Sequence, residues 1–227
     1  MRNKRNSIKK DKKNKKDALY HTLLNRILFL EYRPKHILKE EELALEFGVS
    51  RGPVREVLKR LEWEQLVETM PRTGTVITEI EYAKIIQVFQ IRLIVETLAG
   101  QSAAENITDS QLSRIKEIRE EVAKLLNQQV DRKKLVTLNM MFRDILYEAV
   151  GNPVLKQISK YLYHQTVRFH STLFHTRDWL NYVQTFLDTV DKTYECLLKK
   201  DPEETGMVRG ACLKEYLERL KTTINEV

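Results

Sequence analysis

One stretch constrains this chain more than any other: Leu38 to Val67, which reads LKEEELALEFGVSRGPVREVLKRLEWEQLV. Glu40 to Phe47 has helical spacing, and its acidic first turn suits the positive end of a helix dipole. Gly48 supplies the left-handed geometry that ends a helix. Ser50 then caps a second helix, and Pro53 sits in its first turn, where no amide hydrogen is missed. Val54, Val57, Leu58 and Leu61 fall on one face and predict its buried side. Upstream, Leu19, Leu23, Leu24, Ile27 and Leu28 predict a helix over 17–30 with Asp17 as its cap. Downstream, 65–68 and 70–77 read as two short alternating strands around a turn that contains Gly74. Three helices followed by such a hairpin form a helix-turn-helix with a β-wing.

The chemistry of the third helix indicates what this unit reads. Arg51, Arg55 and Lys59 recur at every fourth position and share one side, opposite the apolar face, with Arg60 beside them. An arginine fork matches guanine O6 and N7 in the major groove, a contact worth about 1–3 kcal/mol. The Ser50 hydroxyl and the free amides of the helix start suit a phosphate. Arg72, beside Gly74 at the wing tip, is placed for the minor groove or a flanking phosphate. The alternative is a solvated charged face balanced by Glu56 and Glu62.

Charge is unevenly spread. The chain of 227 residues carries +7, yet residues 1–16 hold nine Lys or Arg against one Asp. Residues 17–78 hold nine against ten, and the remainder is balanced. The first 16 residues have almost nothing apolar to bury, so they read as a disordered basic tail able to follow a phosphate backbone. A merely solvated end is the other reading. No run of roughly 20 apolar residues is present, and the basic N-terminus lacks the apolar core of a secretory signal. Two cysteines, Cys196 and Cys212, make no disulfide framework, and a reducing cytoplasm is the simpler setting. Phosphate loops, GxSxG, HExxH and paired CxxC motifs are missing, so catalysis has no visible carrier and a non-enzymatic protein is expected.

From residue 79 onward the pattern is helical. Apolar spacing predicts helices over 83–105, 108–128, 131–150, 153–175, 179–200 and 202–222. Thr108, Asp131, Asp178 and Asp201 read as N-caps, and Pro153 and Pro202 as first-turn residues. The expected fold is therefore mainly α: a winged helix-turn-helix over 17–78 and an all-α antiparallel bundle over 79–227. On the fourth of these six helices, His164 and Arg168 are four apart and share a face. His170 and His175 are five apart, a poor spacing for a shared metal. Cys196 and Cys212 read as small core residues, with redox sensing as the alternative.

The segment from about 18 to 78 resembles the reading head of the GntR family of bacterial transcription regulators. The residues that carry the likeness are LALEFGVSRGPVREVLKRLEWEQLVE and RTGTVIT. The first loop departs from the family pattern, with Glu31 and Pro34-Lys35 where the family has Gly and Pro-Gly. The second half resembles the FCD effector domain of the FadR-like branch, through IRLIVETLAGQSAAENIT, FRDILYEAVGNPVL, LLKKDPEE and ACLKEYLERL. The resemblance implies a ligand-responsive regulator, commonly a repressor. It implies a homodimer on a palindromic double-stranded operator, contacted through Ser50, Arg51, Gly52, Arg55 and the Arg72–Gly74 wing.

Many FCD domains hold a divalent metal with one Asp and three His. Carried over, those positions fall on Asn139, Arg143, a residue near Val190, and Cys212. Arginine stays protonated and cannot ligate a cation, and valine has no donor. No bound metal or other cofactor is therefore expected. Arg143, together with Arg92 on the first bundle helix, suggests that a small carboxylate or phosphate is held directly, with Asn139, His164 and Cys212 nearby. Two alternatives stand beside this reading. Arg143 pairs with an acidic neighbour such as Glu96, Asp188 or Asp191, or the cavity is closed and the protein is a constitutive DNA-binding dimer.

Overall fold

The computed structural model describes the backbone of residues 2–173 and 179–225, with side chains for 14–169, 171 and 179–221. The chain forms two compact units, Met1–Glu81 and Tyr82–Val227.

The first unit contains α1 (Arg2–Leu28), β1 (Ile37–Leu38), α2 (Glu40–Glu46), α3 (Arg51–Trp63), β2 (Val67–Met70) and β3 (Gly74–Ile77). Its core is the apolar face of α3, where Val54, Val57, Leu58 and Leu61 are buried, against Leu19, Leu23 and Ile27 of α1. A buried polar seam reinforces that contact. The Tyr20 hydroxyl donates to Glu64 at 2.6 Å, and the Arg60 guanidinium lies 3.3 Å from the Tyr20 ring centre. Burial and the Glu64 carboxylate together push the Tyr20 phenol up, so it stays a donor.

The wing is a three-stranded antiparallel sheet in the order β1-β3-β2. Met70 opposes Gly74 across the turn, and both Arg72 and Gly74 have positive φ, at 67° and 110°. Strand β1 is a two-residue addition to the hairpin expected from the sequence; too short to show any alternation, it pairs Ile37 with Val76.

Two local expectations are corrected. Helix α1 starts at Arg2, so the backbone of 2–16 is helical where a disordered tail was expected, and Asp17 lies within the helix. The packed turns around Leu19 and Leu23 supply the nucleus, and lysines add to it at little cost. Ser50 has the extended backbone of an N-cap, but its hydroxyl makes no capping bond.

The second unit is a bundle of α4 (Tyr82–Asn106), α5 (Asp109–Leu125), α6 (Arg132–Ala149), α7 (Pro153–Leu173), α8 (Trp179–Lys199) and α9 (Pro202–Asn225). Its helix starts follow the sequence closely. Thr108 and Gln111 form a reciprocal capping box at α5. Asp131 accepts from the Lys134 amide at α6, and Asp201 from the Glu204 amide at α9. Asp178 lies outside the described residues.

Helices α4 and α9 approach closely because glycines line their contact. A Cβ on Gly100 would fall 2.7 Å from Arg209 Cγ and 3.1 Å from the Thr205 carbonyl. One on Gly206 would fall 3.0 Å from the Thr97 carbonyl. This approach brings Arg209 of α9 against Glu96 on the buried face of α4.

Candidate functional site

On α3, Arg51, Arg55 and Lys59 are exposed along one side, and Ser50 and Gly52 are exposed at its start. Arg72 and Gly74 are exposed at the wing tip. The arginines are not idle. Arg51 is ion-paired with Glu41, and Arg55 Nε is 2.7 Å from Glu40 Oε2. The balancing carboxylates thus come from the first turn of α2, not from Glu56 and Glu62. Glu56 is held by Lys16 at 2.5 Å. Arg60 is withdrawn from the stripe into the α1 contact described above. The α3 face therefore offers the Lys59 ammonium and two guanidiniums that can each exchange a carboxylate for a phosphate or a base edge.

The second unit contains a cavity of about 310 Å³. Arg92, Asn139, Arg143 and Cys212 all line it, so four of the five residues expected at an effector site come together. His164 does not. Tyr163 and Val167 present the α7 face to the cavity, and His164 and Arg168 are each rotated one residue further round. Arg168 is buried, and burial lowers its guanidinium to about 10. The His170 side chain and the whole of His175 lie outside the described residues. Cys196 is buried near the end of α8, where burial raises its thiol, and it does not line the cavity.

Two residues that sequence reasoning did not place in the site define its inner end. Glu96 was considered only as a possible partner for Arg143, and Arg209 not at all. Glu96 Oε1 accepts from Arg92 Nη2 at 2.8 Å and from the Tyr147 hydroxyl at 2.5 Å. Glu96 Oε2 accepts from Arg143 Nη1 at 2.9 Å and from Arg209 Nη2 at 2.6 Å. Arg92, Glu96 and Arg209 are only 1–2% exposed. Burial alone would raise the Glu96 carboxyl, but the guanidiniums of Arg143, Arg92 and Arg209 and the Tyr147 hydrogen bond hold it well below the usual carboxylate range. Burial, followed by the nearby carboxylate, keeps the Tyr147 phenol protonated. Tyr163 is likewise pushed up by burial, and its ring stacks under Arg143, 4.9 Å from the guanidinium carbon.

The sequence held a signal for this cluster. Arg92 and Glu96 are one turn apart on the apolar face of α4, and Arg209 interrupts the apolar stripe of α9. A charge on a buried stripe announces a buried partner.

Comparison with known proteins now decides what this pairing of units is. Residues 15–77 match the model described as bacterial regulatory proteins, gntR family, and residues 87–208 match the FCD domain. The chain belongs to the GntR family. It is a DNA-binding transcriptional regulator of the GntR type with an FCD domain, and not an enzyme. It is 26% identical over 207 residues to the HTH-type transcriptional regulator YdhC of Bacillus subtilis (strain 168), covering 91% of each chain. It is 27% identical to the gluconate operon transcriptional repressor of the same organism, over 54% of this chain and 49% of that one. Among solved structures, Escherichia coli McbR/YncC shares the fold with a TM-score of 0.79 at 20% identity, covering 92% and 98% of the two chains.

The FCD metal positions do not fit a divalent cation here. Asn139 Oδ1 already accepts from Arg143 Nε at 3.2 Å and from the Tyr163 hydroxyl at 2.8 Å, so its one donor oxygen faces a fixed positive charge. Val190 is fully buried in the bundle core and does not line the cavity, whereas its neighbour Thr189 does. Among the described residues, no three His, Cys, Asp or Glu side chains are grouped to hold a metal.

Proposed function

We propose that this protein is a homodimeric repressor that binds a two-fold-symmetric operator and responds, without a metal, to a small organic anion in its FCD cavity. The observation that carries the reading is the arginine-lined cavity. A void of this size ringed by Arg92, Arg143 and Arg209 suits a compact anion better than a neutral ligand. Glu96 does occupy one face of all three guanidiniums, which favours the second reading of a constitutive dimer. The void beside them, lined mainly by aromatic and aliphatic side chains, weighs against it, because a domain with no ligand gains by packing such space.

The repressor assignment draws on the gluconate operon repressor among the relatives. The dimer assignment draws on α4, whose outer face exposes Ile91, Ile94 and Leu98 at helical spacing, Ile94 by 71%. Arg92 and Glu96 occupy the opposite face of the same helix. An anion that shifts Arg92 thus acts on the element that would carry the dimer contact, and it biases the two reading heads through differential affinity for two arrangements. Arg51, Arg55, Lys59 and the wing tip contact the operator. Among the described residues no helix is long and apolar enough to cross a membrane, and a DNA-bound regulator works in the cytoplasm.

The test is operator binding followed by fluorescence anisotropy, with and without a panel of carboxylates and phosphate esters, beside the mass in solution from light scattering. A dimer whose operator affinity changes at least fivefold with one anion supports the reading. A dimer with unchanged affinity across the panel leaves the constitutive reading, and a monomer removes the palindrome.

A further inference from the structure

The inner end of the cavity has an unbalanced charge, and that imbalance specifies more than an anion. Four of the lining residues are arginines, Arg92, Arg143, Arg209 and Arg219, and none is Asp or Glu. Arg219 is matched by Glu215 at 2.6 Å on its own helix. Arg92, Arg143 and Arg209 share the single carboxylate of Glu96. Tyr147 and Tyr163 complete this end as neutral phenols. Asp144, the carboxylate on the α6 turn beside it, is taken by Lys160 at 2.6 Å. The inner end therefore carries three positive charges against one.

A net charge of two, almost removed from water, is a standing cost unless something compensates it. One donor of this cluster is unsatisfied. Arg92 Nε is buried with no hydrogen-bond partner, while both of its Nη atoms are engaged, one by Thr166 and one by Glu96. The cavity then runs along α9 from Arg209 to Arg219, ten residues or about 15 Å of helix. Leu213 and Tyr216 of α9 and Phe186 of α8 line the stretch between. Charge is unbalanced at one end of the channel and matched at the other, so a ligand's anionic head belongs at the Arg209 end and its apolar body lies toward Arg219.

We infer that the ligand carries two negative charges on one head, as a phosphate monoester or a paired dicarboxylate does, attached to a short apolar body. The inference rests on the anion-effector reading above and narrows it. A monoanion leaves one buried positive charge uncompensated. A dianion cancels the cluster and gives the guanidiniums a second acceptor opposite Glu96.

The experiment compares related ligands of one and two negative charges on the full chain at pH 7.5, by calorimetry. Phenyl phosphate and phenyl sulfate form a pair of one shape, and phthalate and benzoate a pair that differs by one carboxylate. Phenyl phosphate is expected to bind about tenfold more tightly than phenyl sulfate. Leu213→Trp, which fills the channel without touching the charges, is expected to abolish binding of both. Arg209→Gln is expected to bring the two affinities within a factor of about two. Equal affinities in the unmodified protein would overturn the dianion inference and leave the anion effector standing. No binding by any of the four would overturn both. Binding that survives Leu213→Trp would place the ligand elsewhere and overturn the site.

Discussion

Replacing Glu96 by Gln tests whether the arginine cluster is held together by one carboxylate. The change is nearly isosteric, so packing around α4 is kept. A carboxamide retains one acceptor oxygen in place of two. If that oxygen stays with Arg92 and Tyr147, the amide nitrogen confronts Arg143 Nη1 and Arg209 Nη2, now 2.9 and 2.6 Å from Glu96 Oε2. Rotating the amide transfers the same conflict to Arg92 and Tyr147. In either orientation two donors lose their acceptor and three buried guanidiniums lose their counter-charge. Breaking a buried ion pair by removing one partner costs about 3–5 kcal/mol. For a helical unit of about 150 residues, each kcal/mol shifts the melting temperature by about 2–4 °C, so a fall of roughly 10 °C is expected. The assay is thermal unfolding by circular dichroism of the full chain at pH 7.5 and low salt. Glu96→Asp, which keeps the charge, is expected to lose less. A fall below about 3 °C for Glu96→Gln would refute the reasoning, because the arginines would then be solvated or paired without Glu96.

Further outcomes follow from the same geometry. The Glu96 carboxyl is depressed in the folded state, so its contribution is complete above the unfolded carboxylate value near 4.3 and is lost as pH falls through the lower folded value. Acid unfolding below about pH 4 should accordingly be less steep in Glu96→Gln, as read by melts across pH 2–6. Arg55→Ala should weaken operator binding about 5- to 100-fold and relax the base preference at one position, as measured by anisotropy on a set of singly substituted operators. Removing residues 2–13, which hold seven Lys or Arg, should flatten the slope of log affinity against log salt by up to about six if every one meets a phosphate. An unchanged slope would mean the tail stays off the DNA. Gly100→Ala should push α4 from α9 and displace Arg209, costing about 1–3 kcal/mol in a melt and weakening anion binding with it.

Much of the fold was legible because it is written locally. Gly48, Ser50 and Pro53 mark the turn and the start of α3 within six positions, and Thr108, Asp131 and Asp201 announce helices by their own side chains. The shared exposed side of Arg51, Arg55 and Lys59, the face proposed for DNA, was equally plain, since it needs only helical spacing. What stayed hidden depends on distance along the chain. Glu96 meets Arg143 across 47 positions and Arg209 across 113, and no local pattern pairs them. The rotation of α7 that presents Tyr163 in place of His164 is a difference of one residue, about 100° of helix, finer than apolar spacing resolves. The α2 carboxylates that hold Arg51 and Arg55 were read only as dipole partners of their own helix.

Those two ion pairs bear on how the regulator searches a genome. With Arg51 and Arg55 each beside a glutamate, the α3 face meets a random stretch of duplex as a surface of little net charge. Long-range attraction would then fall to the basic N-terminal residues, which hold the chain's excess charge. On the proposed operator contact, a non-cognate phosphate offers each arginine no more than the carboxylate it already has, and short dwell times off target are expected. Only where the groove presents a base edge in register does an arginine gain by changing partner. On that proposed contact, selectivity would be set by an exchange at the moment of contact, and the strength of the initial capture could vary without eroding it.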